Sequence, residues 1–458
     1  MEIAAAPSGA PCSGRARSVR DILALVWPLA LGMLNNAVLQ FVDGVFLARE
    51  SMASLDASLP SSMLALVVTG FFQSVVAYSG TFVAQYHGAG DAGGVRLSYR
   101  SGVFIALAAG ALAASLVPLG RLVVPLMSGN PEVVARASSY YTIVSFGAVA
   151  LCGQMAAASY FTGRGKTGLV FWVNVLGNVV NVVLDPVLIF GLFGCPRLGM
   201  AGAAYATVVA MFVQWGVMAA MAERDLRGGK GGGASGVRFW PLVGRVLRFG
   251  VPSGAYTVLN ILSFAIFVFV TGRVGDMELA VSNACFKVNY LLIAPMEGFA
   301  IGAATLVGQA KGRGDLEAAH RDAMRTLGLG LALVALLSAL AVVFCHPILS
   351  LFVSPDAQAS TFYSLGFRLF LLMAAWQVFD ALDVIVSGAL KGAGDTHFVM
   401  WWMVFVAFGV WLPIVWAVAA WHNTMTALWA TMVVYVVVIC IGTLVRWFRG
   451  RWKSISIM

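Results

Sequence analysis

Asn36, Gln40 and Asp43 fall at i, i+4 and i+7 of one apolar stretch, and Asn174, Asn178, Asn181 and Asp185 at i, i+4, i+7 and i+11 of another. On a helix each set occupies one face, so each builds a polar stripe that ends in a carboxylate. A charge in hydrocarbon costs at least about 2.5 kcal/mol and so marks a pathway or a partner. The chemistry available to such a group is the uptake of a proton or small cation as water recedes and its release as water returns. Asn and Gln also bond across packed helices in lipid. Asn36, Asn174 and Asn178, with Gln40 in the same stripe, are therefore read both as interhelical glue and as cavity lining, whereas Asp43 and Asp185 point to function.

The C-terminal half holds a second group. Asn283, Lys287, Tyr290 and Glu297 lie within an arc of about 80° on one predicted helix, and Asp380 and Asp383 stand at i, i+3 on another. Two carboxylates on one face form a candidate proton store unless Lys287 supplies the counter-charge. Lys287 is read equally as half of a structural ion pair, and Glu297 and Asp380 as coupling or substrate groups.

The elements that must position these side chains follow from composition. The chain has 458 residues, 60% hydrophobic and 11% charged, with a mean hydropathy of +0.88. That much apolar surface requires lipid as solvent. Twelve stretches reach the roughly 20 residues needed to span hydrocarbon: 22–48, 60–86, 100–127, 137–162, 168–193 and 199–222, then 242–272, 280–310, 323–351, 362–390, 397–419 and 423–446. They are too long and continuous for barrel strands, so all are predicted helices. The fold class expected is an all-α membrane protein of two six-helix bundles.

The two sets of six are copies. Gln85, Gly88, Gly90 and Asp91 recur as Gln309, Gly312, Gly314 and Asp315, and the same offset carries Pro28 onto Pro252, Asn36 onto Asn260 and Pro131 onto Pro355. Gly163-Arg-Gly-Lys-Thr167 pairs with Gly392-Ala-Gly-Asp-Thr396 at a slightly larger offset. A parallel repeat within an apolar chain is the mark of a transporter that rocks one half against the other. The domains expected are a tail at 1–21, a lobe at 22–222, a linker at 223–241 with a Gly-rich centre, a second lobe at 242–446 and a tail at 447–458.

With both termini inside, 22 of the 29 Lys and Arg residues fall on the cytoplasmic side, as the positive-inside rule requires. The net charge of +9 then reports topology and contact with anionic membrane lipid rather than nucleic-acid binding. The first apolar run exceeds a secretory h-region and is read as a retained helix. Six cysteines are scattered without a C-x-x-C pair; Cys195 and Cys345 alone lie near the outer face, where their pairing is left open. Gly165-Lys166-Thr167 lacks the P-loop glycine, since position 160 is tyrosine. His320-Arg321-Asp322 has no Gly-rich or D-F-G companion. An enzyme is not expected.

Val-Trp-Pro28, Phe-Val-Asp43, Asn181-Val-Val-Leu-Asp185-Pro-Val-Leu-Ile-Phe-Gly191, Gly202-Ala-Ala-Tyr-Ala-Thr207 and Phe379-Asp380-Ala-Leu-Asp-Val-Ile-Val-Ser-Gly-Ala-Leu-Lys-Gly-Ala-Gly-Asp-Thr396 resemble the MATE family of multidrug and toxic compound extrusion transporters. The resemblance spans roughly 20 to 447. It implies a secondary antiporter that expels organic cations or drugs in exchange for H+ or Na+, with no other cofactor. It further implies small-molecule partners, a monomer and a bacterial inner-membrane location. Resemblance to the DinF-like branch assigns Asp43, Asn181, Asp185 and Thr207 to a cation site. The NorM-like pattern places coupling on a helix-7 Glu and a helix-10 Asp; Asp380 matches the latter, but Asn260 stands where the Glu is expected, and Glu297 on predicted helix 8, which is no part of that pattern, is read as supplying the missing carboxylate.

Two other readings remain at this point. A lipid-linked saccharide flippase shares the duplicated plan but lines its cavity with cations, and a channel, receptor or membrane enzyme has no sequence feature of its own here. Trp401, Trp402, Trp411, Trp416, Trp421 and Trp429 are read as interfacial anchors, with cation–π walls for substrate as the alternative.

Overall fold

The computed structural model describes residues 17–126, 130–228, 236–352, 359–422 and 424–458. Cys12, Arg15, Lys230, Pro355 and the Gly-rich centre of the linker lie outside the described residues. Within them the chain is helical, with no strand, and twelve helices are long and apolar enough to cross a membrane.

In the first half, α1 (Val19–Glu50), α2 (Met52–Ala77), α3 (Ser79–Gly88), α4 (Ala92–Ser115), α5 (Val117–Val123), α6 (Pro131–Gly163), α7 (Thr167–Phe190) and α8 (Met200–Gly228) follow one another. The second half gives α9 (Phe239–Thr271), α10 (Asp276–Gly312), α11 (Leu316–Val343), α12 (Cys345–Ser350), α13 (Ala359–Ala393), α14 (Thr396–Val404), α15 (Leu412–Trp421) and α16 (Met425–Phe448). The expected linker is shorter than 223–241, because α8 runs on to Gly228 and α9 begins at Phe239.

Local chemistry sets the ends. Ser18 and Asp21 form a capping box on α1, with Ser18 N donating to Asp21 Oδ2 at 2.9 Å. Asn130 caps α6, which opens with Pro131, and α7 stops at Gly191 in the left-handed region, φ 76°. Four expected spans are interrupted. The second breaks at Tyr78 into α2 and α3, the third at Leu116 into α4 and α5, and the ninth at Phe344 into α11 and α12. The eleventh contains a π-helical turn, Phe405–Trp411, just before Pro413. Proline has no N–H to complete the i→i−4 pattern, and the preceding backbone widens its hydrogen bonding instead.

Packing relies on small residues, as expected where lipid removes the hydrophobic drive between helices. Gly388 and Gly392 of α13 lie on Ala300 and Ala304 of α10, so closely that an added Cβ would come within 2.5 and 2.3 Å of those carbonyl oxygens. The tryptophans divide: Trp411 and Trp429 are core residues whose indole N–H groups donate to Thr431 Oγ1 at 3.1 Å and Ser282 Oγ at 2.9 Å, while Trp401, Trp416 and Trp421 are exposed. The anchoring reading therefore fails for Trp411 and Trp429, whose polar atoms are satisfied inside. Cys195 and Cys345 are both free thiols.

The halves meet near one end, the end that carries Arg17, Arg164, Arg313 and Arg446. There α1 packs on α10 through Val26 and Ala30 against Gly302 and Gly298. Alongside, α2 packs on α9, with Gly250 and Gly254 against the Val75 and Phe71 carbonyls and a Ser74–Thr257 hydroxyl bond of 2.9 Å. Further along, Gln40 of α1 stands within reach of Tyr290 of α10.

Candidate functional site

Asp43 comes from α1, Asn181 and Asp185 from α7, and Thr207 from α8. The i, i+4 spacing of Asn181 and Asp185 stacks them on the face that α7 turns to both neighbours. With its amide nitrogen toward the carboxylates, Asn181 Nδ2 donates to Asp43 Oδ1 at 3.2 Å and to Asp185 Oδ2 at 3.3 Å, while its Oδ1 accepts from Thr207 N at 3.1 Å. Asp43 and Asp185 thereby lie within electrostatic reach of each other, joined through the one Asn181 amide. Asn181 and Asp185 are buried, at 1% and 0% exposure, and Asp185 Oδ1 has no hydrogen-bond partner among the described residues. Asp43 is half-buried, so the cluster has one sealed and one accessible carboxylate. Pro186 adds to this, because a proline there leaves the Val182 carbonyl without its helical donor.

The remaining amides of the two stripes separate by role. Asn174 is tied to α6 and α8, accepting from Gln154 Nε2 at 3.1 Å on its side chain and from Gln214 Nε2 at 3.3 Å on its carbonyl. Asn178 donates to Asn36 at 3.4 Å and joins α7 to α1. It also lines a cavity of about 210 Å³ between those helices, walled by Val38, Val42, Val179 and Val182. Tyr140 of α6 stands within electrostatic reach of both Asp43 and Asp185.

In the second half, Asp380 and Asp383 of α13 and Glu297 of α10 lie within electrostatic reach of one another. Asp383 is buried and accepts from Thr443 Oγ1 at 2.9 Å and Ser387 Oγ at 3.4 Å. Glu297 is exposed although it interacts with Lys391 and Tyr256 on two other helices, so it lines an open recess.

The counter-charge is Lys391, which interacts with Glu297 and Asp383 and whose Nζ stands 3.8 Å from the Tyr256 ring centroid. Lys287, expected in that role, instead lies over Phe352, 5.8 Å from its centroid. The reason is directional. Side chains on a helix lean toward its N-terminus, so Lys391, near the C-terminal end of α13, reaches back into the bundle rather than out into the loop to which its sequence position assigned it. Asp383, Ser387 and Lys391 stand at i, i+4 and i+8, which was the available signal. Asn260 joins neither cluster in the contacts described; its carbonyl accepts from Ser263 Oγ at 2.8 Å.

The MatE family model matches residues 28–187 and 252–417, one copy in each half. The chain is 28% identical over 418 residues to a probable multidrug resistance protein NorM of Bradyrhizobium diazoefficiens, covering 90% of this chain and 89% of that protein. It is also 28% identical over 391 residues to a protein of the same name from Pseudomonas aeruginosa, covering 83% and 78%. These relatives do not single out the DinF-like branch.

Among solved structures, an outward-facing multidrug resistance MATE transporter superposes with a TM-score of 0.84 at 20% identity, covering 97% of each chain. A MOP superfamily transporter from Pyrococcus furiosus superposes at 0.83, again at 20% identity and 97% of each chain. Matched in both halves and over most of its length, the chain belongs to the MatE family.

Proposed function

We propose that this integral membrane protein is a secondary antiporter that exports organic cations or drugs by alternating access of two lobes, 22–222 and 242–446, with the basic end and both termini cytoplasmic. The observation that carries the reading is the Asp43–Asn181–Asp185 cluster, with one carboxylate sealed and one accessible. Opening and closing water access beside such a pair couples ion binding to conformation. A substrate cation competes for the same negative charge, and competition between ion and substrate is antiport. The names of the NorM relatives support the substrate class.

The proton is taken as the coupling ion of this cycle, because two carboxylates that share one amide donor can be relieved by a single proton. The second cluster of Glu297, Asp380, Asp383 and Lys391 is a further place for a proton or a substrate cation. The flippase reading gains nothing, because the cation of the second recess is engaged by carboxylates. The protein acts as a monomer, and its basic end contacts anionic lipid.

The test is efflux of a fluorescent organic cation from proteoliposomes under an imposed pH gradient and, separately, an imposed sodium gradient. Efflux with the pH gradient alone is the expected result. Efflux with sodium alone would overturn the choice of ion, and efflux with neither would overturn antiport.

A further inference from the structure

The duplicated phrase Gln-x-x-Gly-x-Gly-Asp meets itself across the boundary between the halves. Gln85 Nε2 of α3 donates to the Gly392 carbonyl at 3.1 Å, and Gln309 Nε2 of α10 donates to the Gly163 carbonyl at 2.8 Å. The acceptors are themselves a repeated pair, since Gly163 and Gly392 open the two corresponding G-x-G turns. Both glutamines are buried, 2% and 5% exposed. Their backbones also touch: a Cβ on Gly88 would lie 2.1 Å from the Gln309 oxygen, and one on Gly312 would lie 2.0 Å from the Gln85 oxygen.

The rest of the phrase serves this contact. Gly90 and Gly314 turn the chain in the left-handed region, at φ 75° and 79°, and Asp91 and Asp315 cap α4 and α11 through 2.8 Å bonds to Gly94 N and Ala318 N. Thus Gln supplies the bond, the first Gly the close approach, the second Gly the turn, and Asp the start of the next helix.

We infer that Gln85 and Gln309 are paired positioning residues of the transport cycle, a two-fold bolt that holds the basic end shut and must open on both sides for that end to admit substrate. The inference rests on the alternating-access reading above. A buried amide has no water to turn to, so each bond resists separation of the halves until the gap is wide enough to hydrate both partners. Arg17 reinforces one side, donating to Gln309 Oε1 at 2.6 Å while pairing with Asp322 at 3.3 Å. Because the two bonds are related by the repeat, breaking either weakens the same seam.

The experiment is electron–electron distance spectroscopy on full-length protein in lipid nanodiscs, with spin labels at Arg100 of the first half and Arg321 of the second, in a background whose native cysteines are replaced. In the parent a short and a long population are expected, shifting with pH. Gln85→Leu and Gln309→Leu keep the side-chain size and remove the donor, and each is expected to raise the long-to-short ratio by about 2- to 12-fold, the worth of one such bond, with the double variant higher still. Gly88→Ala, which wedges the same contact without touching a glutamine side chain, is expected to shift the ratio the same way and serves if a leucine variant fails to fold. A parent that moves while the well-folded variants keep its ratio overturns the bolt alone. A single short population in the parent at every pH and sodium concentration overturns the alternating-access reading, and the bolt with it.

Discussion

The Asn181 amide of α7 donates to Asp43 of α1 at 3.2 Å and to Asp185 of α7 at 3.3 Å, so one side chain joins the two carboxylates. The pair is asymmetric, since Asp185 is sealed and Asp43 is half-exposed. In the proposed cycle Asp43 therefore exchanges its proton with water, and Asp185 sets how tightly that proton is held.

From this asymmetry, Asp43→Asn and Asp185→Asn should each lower gradient-driven efflux at least about tenfold, the scale of one lost hydrogen bond to a charged group. Asn181→Ala should leave transport measurable but move its pH midpoint, because the amide donates to both carboxylates. Efflux assays across pH on variants with parental membrane insertion provide the check. Full activity in both Asn variants would remove the N-terminal cluster from the mechanism.

Lys391→Met strips the counter-charge from Glu297 and Asp383. It is expected to change substrate affinity by about tenfold or more, and Lys287→Met to change it less, since that ammonium lies over Phe352. Binding titrations on the two purified variants separate the cases; the reverse order would restore Lys287 as the partner.

Glu50, the last residue of α1 and so at the end opposite the basic one, should be a stability determinant. Burial works against its charge, but the Ser54 and Ser51 hydroxyls and Arg136, at 2.8 Å, together hold the carboxyl below its ordinary range. A group lowered on folding stabilises above its unfolded pKa of about 4.3, and the contribution is lost as pH falls through the lower folded value. Glu50→Gln should therefore cost about 1–2 kcal/mol at pH 7 and converge on the parent only as pH falls through that lowered folded value. Thermal unfolding in detergent at pH 7 and down through the acid range tests the sign.

Cys195 and Cys345 report orientation. Both lie at the end opposite the basic one, but Cys345 is buried at 3% exposure and so is shielded from a bulky reagent. In a Cys12→Ser background, a membrane-impermeant maleimide added to intact spheroplasts should label Cys195 and spare Cys345. Labelling of Cys195 only after lysis would place that end inside the cell and reverse the proposed topology.

The sequence by itself determined the solvent, the number of spans and the duplication. Those depend on composition and on repeated phrases along the chain, which it carries wherever its helices go. Asp43, Asn181, Asp185 and Thr207 were also legible because a resemblance named them together. The breaks in four spans escaped a hydropathy reading, because an average over apolar residues does not register the lost N–H of a proline or a tight turn at Tyr78 or Phe344.

Tertiary structure decided which charges are neighbours. Lys287 and Lys391 carry the same charge and both lie in the second half, yet only the direction in which α13 aims its C-terminal side chains brings one of them to Glu297 and Asp383. Likewise the repeated Gln-x-x-Gly was plain as a duplication, but its meaning depended on two copies meeting face to face. Such a contact lies between helices rather than along one, and its energy is gained only when the two halves are brought together.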